Sequence, residues 1–142
     1  MQPLTELEHE NQITDILVFD MELYIVTSYG LRIFAVHDEM KTIGTEQCIK
    51  LKQVIPLKQK NSKVAFFDDQ LCVSGENEVS LFEFFRFNEM INMDQKLTVY
   101  RLKPVSPQFV KFDLEGDFVA TGSENSILVY STATMDLGQV VS

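Results

Sequence analysis

The chain has 142 residues, 45% of them apolar, and carries 12 Lys and Arg against 21 Asp and Glu, a formal charge of −9. With 11 Phe and 4 Tyr it has enough apolar surface to bury a core, which excludes a disordered or collagen-like chain, and its acidity opposes non-specific binding to nucleic acid. No apolar run approaches the roughly 20 residues that cross a bilayer, and Cys48 and Cys72 lie far apart outside any CxxC spacing, so no membrane span, disulfide framework or zinc site is expected.

Residues 1–12, MQPLTELEHENQ, form a polar, acidic segment without the basic start and apolar centre of a signal peptide, which points to a cytoplasmic or nuclear protein. A repeat follows. Its first copy, about 13–57, opens with a strand ending in Phe19-Asp20, continues with LYIVT, turns at Ser28-Tyr29-Gly30 and returns as LRIF. EQCIKLKQV, residues 46–54, is expected to add a fourth, more polar strand. The second copy, about 63–104, has Phe67-Asp68, LCVS, a Gly-Glu-Asn-Glu turn and VSLFEF, with QKLTVYRL as fourth strand. The third, about 108–142, has Phe112-Asp113, DFVAT, the turn Gly-Ser-Glu-Asn-Ser and ILVY, and reaches Ser142 where a fourth strand is expected.

Leu31, Val79 and Ile127 stand 48 residues apart, as do Phe34, Phe82 and Tyr130, whereas Thr27, Ser74 and Thr121 keep a 47-residue step. The difference is expected to reside in turns of three, four and five residues, where length changes are tolerated. Alternating apolar residues with an aromatic on the opposite face require cover on both sides. Four-stranded antiparallel units at this period are the pattern of β-propeller blades. The expected fold is therefore all-β, with about three blades forming an incomplete ring.

Two features carry candidate contacts. Lys50, Lys52, Lys58, Lys60 and Lys63 follow one another with no intervening acid. On an outer strand such lysines protect an edge from aggregation, and they also suit an acidic protein, RNA or anionic lipid. Around Arg86 stand Phe82, Phe84, Phe85 and Phe87; Phe82 and Phe84 share a face suited to the core, while Phe85 and Phe87 point the other way, and Met90, Ile91 and Met93 continue into an apolar connection. A ring exposed beside Arg86 would anchor an interface.

The acids Asp113, Glu115 and Asp117 match a turn better than a calcium loop. His9 and His37 have no nucleophile or acid at a catalytic spacing, and no GxSxG, HExxH or Walker loop occurs. No catalysis, cofactor or metal is expected.

VKFDLEGDFVATGSENSILVYSTATMDLG resembles the WD40 blade pattern through Gly116, Ala120-Thr121-Gly122-Ser123, Asn125, Ile127 and Val129. It departs from that pattern in lacking Trp, replaced by Phe34, Phe82 and Tyr130, and in lacking the Gly-His dipeptide. Residues 63–131 also resemble blades of the damaged-DNA-binding and cleavage-factor scaffold propellers, where a similar Gly-Asp-Phe opens a strand. The WD40 resemblance implies a non-catalytic scaffold for protein–protein interaction within a larger complex. Because three blades cannot close a ring, further blades are expected from a second copy, another polypeptide or a longer parent chain. The alternative is a propeller that binds RNA or anionic lipid through lysine-rich residues 50–63.

Overall fold

Short runs of Val, Ile, Leu and Phe punctuated by Gly, Asn and Asp favour narrow antiparallel meanders over helices. The computed structural model describes residues 12–19, 21–27, 30–36, 49–59 and 61–141. They form β1 (Ile13–Phe19), β2 (Glu22–Thr27), β3 (Gly30–Val36), β4 (Ile49–Ile55), β5 (Lys63–Phe67), β6 (Gln70–Ser74), β7 (Glu78–Phe87), β8 (Met90–Tyr100), β9 (Phe109–Phe112), β10 (Phe118–Gly122), β11 (Ile127–Ser131) and β12 (Leu137–Val141). Each successive group of four makes one open antiparallel sheet in chain order. The all-β, four-stranded repeat read from the sequence is the fold. His9, His37, Cys48 and Lys60 lie outside the described residues.

The chain divides into two compact units, residues 1–58 and 59–142. The first unit holds the first sheet, whose two faces both carry buried side chains: Tyr24, Val26, Leu31 and Ile33 on one, Ile25, Thr27 and Phe34 on the other. The second unit holds the other two sheets.

Registers correct the sequence alignment at two places. Thr27 pairs with Gly30, the Gly75 amide donates to Glu78 O, and the Ser123 amide donates to Ser126 O. Each hairpin therefore turns through two residues, not three, four and five. A 48-residue step holds along the whole hairpin: Leu23, Leu71 and Val119 face Phe34, Phe82 and Tyr130. Thr27, Ser74 and Thr121 are consequently not equivalent; Ser74 occupies the place of Val26 and Gly122. The first turn of the third sheet is longer than its counterparts, since the Asp113 amide donates to Phe118 O. Phe112, opposite Val119, is thus the counterpart of Phe66 and not of Phe67.

Two outer strands also differ from expectation. Met90, Ile91 and Met93 belong to β8, not to a connection, and β12 pairs with β11 from Tyr130 to Ile127, giving the third sheet a full fourth strand. Every third-to-fourth strand pair carries a β-bulge at one place, between Ile33 and Phe34, Leu81 and Phe82, and Val129 and Tyr130. The extra residues are Lys52, Lys96 and Gly138. A bulge sharpens local twist, so its recurrence gives all three sheets the same bend.

In the second unit the core lies between the sheets. Ala65, Cys72, Val79 and Leu81 meet Val110, Val119, Tyr130 and Met135, with Phe112 and Leu128 packed alongside. Burying each large aliphatic side chain contributes about 1.5–3 kcal/mol. The Phe67 and Phe112 rings lie 6.0 Å apart between centroids. Gly116, at φ +75, sits so close to Phe67 that a Cβ there would stand 2.3 Å from its Cδ1. A glycine is required on both counts.

The far face of the third sheet is open. Ile127, the counterpart of buried Val79, is 36% exposed, and Phe118 is 47% exposed. The apolar repeat pattern continues there without a covering sheet among the described residues of the second unit.

Candidate functional site

The strands β7 and β8 outrun their sheet. β6 begins at Gln70 opposite Glu83, and the Phe84 amide donates to Asp69 O, yet β7 and β8 stay paired as far as Phe87 and Met90. The ribbon turns at Asn88 and Glu89, both with positive φ (51 and 63). That two-residue turn matches the twist of paired strands.

Register then divides the side chains of the ribbon. Phe84 and Ile91 are buried, and Phe84 meets Phe66 edge-on with centroids 5.2 Å apart. The opposite face carries Phe85 (39% exposed), Phe87 (67%) and Met90 (45%), with Asn92 across from Phe85. Arg86 is also exposed, but its pairing with Ile91 puts it on the face of Phe84. Phe82, expected in the core with Phe84, is half-buried. Met90, which the sequence suggests as part of an apolar connection beside Phe85, Arg86 and Phe87, stands instead on β8 opposite Phe87; the signal for this is Asn88-Glu89 between two apolar runs.

The lysines occupy several settings. Lys50 and Lys52 are on β4, where Lys52 Nζ contacts Glu22 Oε2 at 2.9 Å. Lys58 is exposed at the end of the first unit, and Lys63 opens β5 opposite Ser74 in the second. Glu22 is itself buried and accepts a hydrogen bond from the Tyr24 hydroxyl at 2.9 Å. Lys52 therefore supplies the counter-charge for a buried carboxylate.

A polar junction joins the second and third sheets. Ser74 Oγ and Thr121 Oγ1, both buried, are 2.6 Å apart, and Arg101 donates to Ser74 Oγ at 2.8 Å and to Gly75 O at 3.1 Å. Thr121 also donates to Phe109 O. The Cys72 thiol lies close by: burial pushes its pKa up to about 12, against the opposing pull of the Arg101 charge. Burial likewise raises Tyr130. A thiol held protonated is a poor nucleophile. Among the described residues no group of three His, Cys, Asp or Glu could hold a metal, and no helix is long and apolar enough to cross a membrane. The Asp113 carboxylate instead accepts the Phe118 amide and closes its own turn.

No family model matches the sequence, and no curated protein matches it. Solved structures do. Hsv2 from Kluyveromyces lactis, a β-propeller protein, matches with a TM-score of 0.60 at 16% identity over 98% of this chain and 41% of that chain. A second structure of it, with complete loop 6CD, gives 0.59 at 16% over 98% and 40%, and a third gives 0.57 at 15% over 98% and 41%. The chain thus spans about two fifths of the length of the propellers it matches. At this identity the likeness shows a propeller-like fold.

Proposed function

We propose that the protein is a non-catalytic propeller-type scaffold that binds a protein partner through the projecting β7–β8 ribbon. The observation that carries this reading is the sorting of the ribbon into a buried face and a face where Phe85, Phe87 and Met90 stand in solvent. Aromatic rings are among the side chains that dominate protein interfaces, because they bury large area at small entropic cost. Asp94 shares the face of these rings and Glu89 lies in the adjoining turn, on a chain of charge −9. Anionic lipid and RNA are repelled by such a frame, which favours a protein partner with an apolar pocket and a basic rim.

The WD40 class and membership of a larger complex follow from the blade-like sequence of the third copy and belong to the same proposal. A photo-reactive phenylalanine analogue at position 87, in the full chain in cells, tests it. The expected result is a protein adduct that disappears with Phe85→Ser; no adduct above that of a probe at exposed Glu115 overturns the reading. Charge reversal at Lys58, Lys60 and Lys63 tests the alternative. A steeply salt-dependent loss of RNA or anionic-vesicle binding would assign the function to the lysines instead.

A further inference from the structure

The tail of β8 is tied back to its own sheet: the Arg101 amide donates to Asn77 O at 2.8 Å and the Val105 amide to Glu76 O at 3.1 Å. The guanidinium of Arg101 thereby reaches the turn after β6, where Nε donates to Gly75 O and Nη2 to Ser74 Oγ. Nη1 gives no hydrogen bond, yet it is not sealed from solvent. Burial lowers the pKa of Arg101, and among the described residues no carboxylate forms an ion pair with it, on a chain with 21 acids. A guanidinium that has lost part of its water is ordinarily compensated by an anion.

Tyr130 is a second donor in the same state. It is 4% exposed and its hydroxyl has no hydrogen-bond partner, whereas buried tyrosine hydroxyls usually find one. That oxygen is not sealed either. Arg101 and Tyr130 both line one cleft of ≈ 630 Å³ in the second unit, between the end of β8 and the turn from β11 to β12, so the unused donors open into it. The Arg101 charge is near enough to oppose the rise that burial gives the Tyr130 pKa. The cleft has an apolar wall of Val99, Leu128 and Met135, and its exposed charged lining is Lys103 and Asp136. Two cations against one acid leave a single positive charge, which suits a carboxylate better than a doubly charged phosphate.

We propose that this cleft binds a monocarboxylate with an apolar body, one oxygen accepting from Arg101 and the other from the Tyr130 hydroxyl, the body lying against Val99, Leu128 and Met135. Free hydrophobic acids and the apolar C-terminal residue of a polypeptide share that chemistry. A few convergent polar groups in an apolar cleft of this size are the make-up of a small-ligand site. The cleft is separate from the ribbon, so each proposal can fail alone.

The test is an NMR titration of the ¹⁵N-labelled full chain with 3-phenylpropanoate, with acetyl-Gly-Phe bearing a free C-terminus and with acetyl-Gly-Phe-amide. Both acids are expected to shift the Arg101 Nε–H signal and the Thr134–Leu137 amides saturably, and the peptide amide to shift neither. Tighter binding of the peptide acid assigns the ligand to a chain terminus, and tighter binding of the free acid assigns it to a small molecule. Tyr130→Phe is expected to weaken both acids about tenfold, the loss of a hydrogen bond to a charged group, and to leave the urea midpoint unchanged, because the hydroxyl has no partner in the free protein. Phe87→Ser leaves the titration intact. Equal shifts with acid and amide, an unchanged affinity in Tyr130→Phe, phenyl phosphate binding more tightly than either acid, or no saturable shift overturns the proposal.

Discussion

Gly116→Ala probes the contact between the second and third sheets at one atom. At φ +75 an alanine adopts the left-handed region, which costs about 1–2 kcal/mol. Its Cβ would also stand 2.3 and 2.4 Å from Cδ1 and Cε1 of Phe67, far inside van der Waals contact. Relieving such an overlap by shifting the ring or the turn costs about another 1–3 kcal/mol. The combined loss, about 2–5 kcal/mol, is measurable by urea unfolding followed by far-UV circular dichroism. The two parts separate in a Phe67→Ala background, where the ring atoms are removed and only the backbone cost of about 1–2 kcal/mol should remain. An equal loss in both backgrounds would refute the cross-sheet contact, and a loss below about 0.5 kcal/mol would refute the turn geometry as well.

Other perturbations follow from the same junction. Ser74→Ala and Thr121→Val are expected to couple by about 1 kcal/mol in a double-mutant cycle, because each hydroxyl is the partner of the other; additivity within about 0.3 kcal/mol would contradict the bond. Val79→Ala should cost about 1.5–3 kcal/mol and its open-face counterpart Ile127→Ala clearly less, with urea midpoints as the measure; equal costs would mean that the far face of the third sheet is covered. The Cys72 pKa rises from 9.0 to about 12 on folding, so the folded state holds its proton more tightly than the unfolded chain. Its contribution is complete below pH 9.0 and is lost as pH climbs towards 12, at up to about 1.4 kcal/mol per unit, with Tyr130 adding in the same sense above 10.0. Cys72→Ala should flatten the decline between about pH 9 and about pH 11, and an unchanged slope would show the thiol accessible to water.

The hairpins were legible in the sequence because Gly, Asn and Asp interrupt runs of alternating apolar residues, and the fold class follows from that rhythm. The one-residue error at Thr27, Ser74 and Thr121 has a physical origin. All three are hydroxyl residues near the end of a second strand, yet Ser74 faces Val79 while Thr121 faces Leu128, and the Ser74 and Thr121 hydroxyls bond to each other across facing sheets. The shared bulge was hidden because connections of unequal length break the spacing of Lys52, Lys96 and Gly138. The ribbon was half visible. Phe85 and Phe87 showed the alternation, but Asn88-Glu89 has no glycine to announce a tight turn, and the return strand passed for a connection.

Nuclear Overhauser contacts between the second and third sheets test their stacking as neighbouring propeller sheets most directly. Cross-peaks between the Phe67 and Phe112 rings, and between Ser74 Hβ and the Thr121 methyl, are expected in the native chain. Their absence from a spectrum that retains the cross-strand contacts within each sheet would contradict the stacking.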